Sequence, residues 1–208
     1  MDIQFYGANC VVISASGVRA VVDDNLTELG GKSVSKAGDL VLFTGPTSEV
    51  KVETKLTIAG PGEFEVADFS IQGIPVRAHM DEAKQRTATM YKLTSKDVTV
   101  LVLGHIYPDL SDTELETIGM IDVLITPVGG NGYTLDPVGA LSVIKKIEPK
   151  LVIPTHYADK ELNFPVPQQS LEDALKGLAM ESKETTSKLR VKPAELSDTI
   201  QLVVLEKA

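Results

Sequence analysis

The chain is poor in cysteine, in basic residues and in long apolar runs, and each shortage excludes a class of protein. A single cysteine, Cys10, rules out a disulfide framework within the 208 residues. Only 20 Lys and Arg stand against 29 Asp and Glu, so the net charge is −9. Nucleic acids and anionic membranes are therefore not expected partners, because both are bound by clustered cations. No run reaches the roughly 18 apolar residues of a membrane span. The first residues also lack the pattern of a signal peptide, so we expect a cytoplasmic protein.

What the chain does contain is an alternation of short apolar strands and a few amphipathic helices. Its hydrophobic fraction of 43% is enough for a sizeable core. Strand-like segments dominate the first half, while the longer helices come late. About a dozen strands and three helices are expected, with residues 181–187 read as a charged loop. This pattern predicts an α/β fold in which two sheets are flanked by helices, as a single domain over residues 1–208.

Residues 121–157 carry the clearest structural pattern. They open with a short apolar strand, turn at Gly129-Gly130, and continue as a helix with Asp136 as its N-cap. A second apolar strand follows and ends just before His156. This is a strand–helix–strand unit with a histidine at the carboxyl end of a strand, where α/β sheets usually carry their chemistry.

The three histidines of the chain, His79, His105 and His156, each closely follow a predicted strand. Strand ends at one sheet edge can converge, and three imidazoles there could bind a transition metal. However, no pair has the i, i+2 or i, i+4 spacing of local metal motifs. On spacing alone, three unrelated histidines are the favoured interpretation.

Six segments spread over nearly the whole chain resemble the metallo-β-lactamase superfamily, in particular its short, lactonase-like branch of Zn-dependent hydrolases. In chain order they are GANCVVISASGVRAVVDDN, VLFTGPTSEV, GPGEFEV, IQGIPVRAH, LVLGHIYPDLSDTELETIGMIDVLITPVGG and KLVIPTHY. The resemblance implies an αββα sandwich of two mixed β-sheets flanked by helices. It also implies a metal cluster at the edge between the two sheets.

The resemblance transfers the metal site only in part. The H-x-H-x-D-H motif of the family corresponds to residues 45–50, which here read GPTSEV. Glu49 is the one residue there that could coordinate or act as a catalytic carboxylate. His79 and His156 match histidine ligands of the family, whereas His105 stands where the family has a bridging aspartate. Two ligands therefore match, one is exchanged and four are lost.

Two functions follow from this ligand count. The favoured hypothesis is a non-hydrolytic binding or scaffold protein that holds no metal and has a small molecule or a protein as its partner. The alternative is a metal-dependent hydrolase of the lactone or ester class that holds a single Zn²⁺ on His79, His105 and His156. Family-type hydrolysis needs a metal to lower the pKa of a bound water, so whether the chain is an enzyme depends on that site.

Five further residues are candidates for supporting the site. Asp23 and Asp24 follow a predicted strand, where they could orient ligands or form a solvated turn. Gly129 and Gly130 could present backbone N–H groups to a ligand, or simply form a tight turn. Tyr157, next to a histidine, could orient that histidine or pack in the core.

Overall fold

The computed structural model describes residues 1–208 and contains two β-sheets, three α-helices and two 3₁₀-helices. The strands are β1 Asp2–Gly7, β2 Cys10–Ala15, β3 Val18–Val22, β4 Leu40–Leu42, β5 Leu56–Ile58, β6 Gly62–Val66, β7 Phe69–Val76, β8 Ala88–Ser95, β9 Val98–Val102, β10 Val123–Pro127, β11 Leu151–Thr155, β12 Ser182–Thr186, β13 Leu189–Arg190 and β14 Gln201–Leu205. The α-helices are α1 Asp112–Ile118, α2 Pro137–Ile147 and α3 Leu171–Leu178, and the 3₁₀-helices are Leu26–Leu29 and Pro193–Glu195.

Both sheets are mixed. The first has the order β13-β1-β2-β3-β4-β5, with its parallel pairs at the β4–β5 end. The second has the order β12-β14-β11-β10-β9-β8-β7-β6 and is parallel from β9 to β12. Parallel central strands must be covered on both faces, which explains why β10 and β11 are buried along their whole length.

The core consists of two apolar layers, one on each face of the eight-stranded sheet. The larger layer lies between the sheets and includes Ile125 and Ile153, which face each other in the β10–β11 ladder. The second layer lies under the α-helices, and the buried face of α2 belongs to it. On the outside of the six-stranded sheet, a 3₁₀-helix and loops form a smaller cluster around Leu26 and Leu162. The chain is therefore an α/β sandwich of two mixed sheets with its α-helices packed on the eight-stranded sheet, as the sequence predicts.

The helix ends follow the sequence signals. Ser111 accepts a hydrogen bond from the Glu114 N–H, and the Glu114 side chain reaches back, which closes the capping box predicted for α1. Asp136 accepts a hydrogen bond from the Gly139 N–H, and Pro137 occupies the first position of α2. These local signals position the loops around the candidate site.

The expectation of a loop at residues 181–187 was wrong. Residues Ser182–Thr186 form the edge strand β12, which pairs in parallel with β14. Its polar side chains are typical of an edge strand that must not pair with another molecule. The strand is fixed by pairing with a distant segment, and its own composition does not reveal it.

None of the helices is long and apolar enough to cross a bilayer.

Candidate functional site

A cavity of about 460 Å³ opens at one edge of the sandwich. Its walls come largely from the segments that follow β1, β3, β4, β7, β9 and β11. Strand ends from both sheets therefore meet there, in the place that α/β folds commonly use for ligands. Its size is in the range of pockets that hold a small organic molecule.

All three histidines line this cavity. The backbone N–H of His79 donates to the backbone carbonyl oxygen of His105 at 2.8 Å, which joins the segments after β7 and β9. The His156 N–H donates to the carbonyl oxygen of Ala8 at 2.7 Å, and His156 has a left-handed backbone with φ of 53°. The ring centroids of His105 and His156 are 4.5 Å apart, with the rings perpendicular. Strand ends thus gather the imidazoles, while metal binding by them stays a prediction.

Gln168 fixes the tautomer of His156. Its amide Nε2 donates to the Val166 carbonyl at 2.9 Å, so its Oε1 is the atom that lies 3.1 Å from His156 Nδ1. Because Oε1 only accepts, Nδ1 must carry the proton. Nε2 is then the lone-pair nitrogen of His156, a residue that is 3% exposed and lines the cavity.

Burial keeps the two contacting imidazoles neutral. It lowers the pKa of His156 to about 4. Burial, with a further contribution from His156 and then His79, lowers the pKa of His105 to about 3. Neither ring therefore carries a positive charge near neutral pH.

Aromatic rings complete this side of the cavity. The Tyr133 ring meets His105 edge-on with centroids 4.9 Å apart, and the Phe164 ring lies 5.0 Å from His156. Both rings line the cavity, so much of the wall next to the imidazoles is aromatic.

Asp23 belongs to a chain of hydrogen bonds that links the two sheets at the cavity through Asn9. Its carboxylate accepts hydrogen bonds from Asn9 Nδ2 at 2.7 Å, from the Thr44 N–H at 2.7 Å and from Thr44 Oγ1 at 2.5 Å. Asn9 Oδ1 in turn accepts from Thr155 Oγ1 of β11 at 2.7 Å. Burial raises the pKa of Asp23 above its usual range. Asp23 also lines the cavity, so the predicted supporting carboxylate lies at the site.

Asp24 stabilises a loop outside the cavity lining. A single oxygen, Oδ2, accepts from the Ser33 hydroxyl, from the Val34 N–H and from both the N–H and the hydroxyl of Ser35. The carboxylate is buried but does not line the cavity. It fixes the loop at residues 33–35.

The other sequence candidates lie outside the cavity lining. The Glu49 side chain is 79% exposed, and its nearest cation is Lys51 at 3.9 Å. Tyr157 packs against Phe5, with ring centroids 5.6 Å apart, between the two large core clusters. In this structure Glu49 is therefore a solvated side chain and Tyr157 a packing residue.

Gly129 and Gly130 form a turn behind the site. A Cβ on Gly129 would overlap Gln168 Oε1 and the carbonyl oxygen of His156. Gly130 has a φ of 71°, and its N–H donates to the Leu135 carbonyl. The glycine pair thus leaves room for the Gln168–His156 hydrogen bond instead of presenting N–H groups to the cavity.

Sequence reasoning missed Asn9, Thr44, Phe164 and Gln168. Asn9 and Thr44 each follow a strand, and that position was the available signal. Phe164 and Gln168 lie in an irregular segment before α3, where no periodicity marks them. Their roles depend on contacts with residues far away in the chain.

The donor set does not fit the metal centre of the family. No three or more His, Cys, Asp or Glu side chains are arranged so that they could hold a metal ion. Gly45 and Pro46 line the cavity, and neither has a side-chain donor.

Comparison with known proteins identifies the family. The family model described as the β-lactamase superfamily domain matches residues 2–156, and the chain belongs to that family. No curated protein matches the chain.

Solved structures share the fold. A proposed Zn-dependent hydrolase of the metallo-β-lactamase superfamily from Thermotoga maritima is 24% identical, with a TM-score of 0.78 over 99% of this chain and 98% of its own. The metallo hydrolase Igni18 from Ignicoccus hospitalis is 17% identical, with a TM-score of 0.60 over 86% and 90%. An isothiocyanate hydrolase from Delia radicum gut bacteria is 11% identical, with a TM-score of 0.62 over 97% and 96%. At these identities the likeness concerns the fold.

Proposed function

We propose that this chain is a non-hydrolytic member of its superfamily that binds a small molecule in the cavity of the three histidines. The observation that carries the proposal is the composition of the cavity wall. It has the volume of a ligand site, yet Gly45, which lines it at the position where the resemblance places the first metal ligand, has no side-chain donor. The site thus keeps the pocket of the family without the donors of a binuclear centre.

The chemistry of hydrolysis supports this proposal. In metal hydrolases the ion brings a bound water close to hydroxide at neutral pH and polarises the bond to be cleaved. The carboxylate left in the lost motif, Glu49, is exposed and does not line the cavity. Asp23 does line it, but three hydrogen-bond donors already occupy its carboxylate. The Asp81 carboxylate of the wall likewise accepts from the N–H groups of Ala78 and Thr87 and from the Thr87 hydroxyl, which leaves only Glu28, exposed at the rim, without such partners.

One observation favours the alternative of a single zinc ion. His79, His105 and His156 share one cavity, and the buried Nδ1 of His79 has no hydrogen-bond partner. Neutral imidazoles are the form that binds Zn²⁺. A rearrangement of His79 toward the other two rings would give three ligands and an open fourth position.

Turnover assays separate these two functions. We expect the tag-free protein to show no hydrolysis of lactone, β-lactam or phosphodiester substrates above background when Zn²⁺ or Mn²⁺ is supplied. The assay is run in parallel on His105→Ala, with circular dichroism to verify that the variant is folded. Metal-dependent turnover that disappears in this variant would establish the alternative and refute the proposal.

A further inference from the structure

The charges around the cavity have one sign. Asp23, Glu28 and Asp81 line it, and no Lys or Arg does. The groups that hydrogen-bond to the Asp23 carboxylate belong to Asn9 and Thr44 and are uncharged. Glu28 is exposed at the rim and has no ion-pair partner. The cavity therefore has a negative potential that no cation in its wall offsets.

One cation, Arg77, precedes the lining residue Ala78 in the chain but does not itself line the cavity. The guanidinium of Arg77 donates to the carbonyl oxygen of Asp81 at 2.8 Å and lies 3.7 Å from the centre of the Tyr107 ring. It offsets part of the charge of Asp81, but not that of Asp23 or Glu28. The negative charge of the cavity wall therefore comes mainly from Asp23 and Glu28.

A hydrogen-bond acceptor and two aromatic rings meet in the same space. Gln168 holds the proton of His156 on Nδ1, so Nε2 offers a lone pair. Tyr133 and Phe164 flank the two contacting histidines. Rings of this kind attract a cation through their negative faces, most strongly where water is excluded.

We propose that this cavity selects a small organic ammonium ion over neutral and anionic molecules of the same shape. The proposal rests on the proposed binding function. One N–H of the ammonium group donates to His156 Nε2, while the carboxylates of Asp23 and Glu28 and the rings of Tyr133 and Phe164 balance its charge. A carboxylate or phosphate would meet lone pairs and negative charge, with no Arg or Lys to pair with it.

Three probes of one shape test this selectivity on the chelator-treated, full-length protein near neutral pH. They are benzylamine, which is then protonated, benzyl alcohol, which is neutral, and benzoate, which is an anion. Binding is measured by NMR titration of the His156 ring signals. We expect benzylammonium to bind at least about tenfold more tightly than benzoate, with benzyl alcohol between them.

The outcomes distinguish the two proposals. Benzoate or benzyl alcohol that binds as tightly as benzylammonium, and shifts the His156 signals, would overturn the ammonium selectivity and leave the binding function standing. If none of the three probes perturbs His156, the binding function and the selectivity both fail.

A matched pair of charge variants isolates the carboxylate at the rim. Glu28→Gln removes a negative charge from the cavity, whereas Glu206→Gln removes one from an exposed position outside it. We expect Glu28→Gln to weaken benzylammonium binding about two- to fivefold, as is usual for a partly exposed ion pair, and Glu206→Gln to leave it unchanged. Equal affinities in the two variants would contradict the role of Glu28.

Gln168 acts as a positioning residue, and a conservative variant tests this. Gln168→Glu keeps an acceptor next to His156 Nδ1, while Gln168→Leu removes it and frees the tautomer. We expect the Leu variant to lose benzylammonium affinity and to change the ¹⁵N shifts of the imidazole. The Glu variant should keep the proton on Nδ1 and bind benzylammonium at least as tightly as the native protein, because its carboxylate adds negative charge next to the cavity. If both variants bind like the native protein, the tautomer of His156 has no part in recognition.

Discussion

Ile153→Ala is expected to lower the free energy of unfolding by on the order of 2–5 kcal/mol, as large-to-small changes in well-packed cores do. Ile153 is fully buried in the layer between the sheets, opposite Ile125 in a central parallel pair. Strands on both sides hold the neighbouring side chains in place, so the cavity left behind cannot collapse easily. Chemical denaturation measures the loss.

The control for this variant is Met120→Ala, which also truncates a large apolar side chain. Met120 is 94% exposed, so its loss should change the unfolding free energy by no more than about 0.5 kcal/mol. Similar effects at the two positions would mean that the β10–β11 layer is not the centre of the core.

Stability should also fall on mild acidification, because of His156. The pKa of His156 in the folded protein is about 4, below the ordinary value of 6.5. Between these two pH values the imidazole is protonated in the unfolded chain but neutral in the folded chain. The stability present above pH 6.5 is then lost progressively as the pH falls toward the folded pKa. At about 1.4 kcal/mol per pKa unit, the loss between about pH 7 and pH 4.5 amounts to about 2–3 kcal/mol.

Two other buried groups also contribute to the dependence of the unfolding free energy on pH. The lowered pKa of His105 acts in the same direction. The raised pKa of Asp23 acts in the opposite direction, because this carboxyl gains a proton more readily in the folded state. Unfolding free energies of metal-free His156→Gln, measured across the same pH range, isolate the contribution of His156. The variant should have a clearly shallower dependence, and an unchanged slope would contradict the assignment.

A matched variant separates the imidazole from general destabilisation. Val128→Ala truncates a fully buried side chain near the site without removing a titratable group. It should lower stability by a similar amount at every pH and leave the slope unchanged.

The parts of the fold that local chemistry determines could be predicted from the sequence. The capping box of α1, and Asp136 with Pro137 at the start of α2, depend on neighbours within four residues. The strand β12 could not be predicted, because a charged segment becomes a strand only by pairing with β14. Local signals thus fix helix ends, while the sheet edges depend on long-range pairing.

The residues of the candidate site also fall into those that could be predicted from the sequence and those that could not. The rule that strand ends carry chemistry selected the three histidines, Asp23 and Asp24, and all of them except Asp24 line the cavity. Gln168 was not predicted because its role consists of one hydrogen bond to His156, twelve positions earlier. This hydrogen bond also needs the space that the missing side chain of Gly129 leaves. Glu49 was selected from its place in a family motif, yet the structure exposes it to solvent.

Zinc stoichiometry tests the central claim, a ligand cavity without a metal centre, most directly. Tag-free protein is dialysed to equilibrium against micromolar Zn²⁺, then against buffer alone, and its zinc content is measured. We expect that far less than one zinc ion per chain remains, and that a chelator leaves the melting temperature unchanged. One zinc ion retained per chain in the native protein, and lost in His105→Ala, would contradict it and establish a three-histidine metal site.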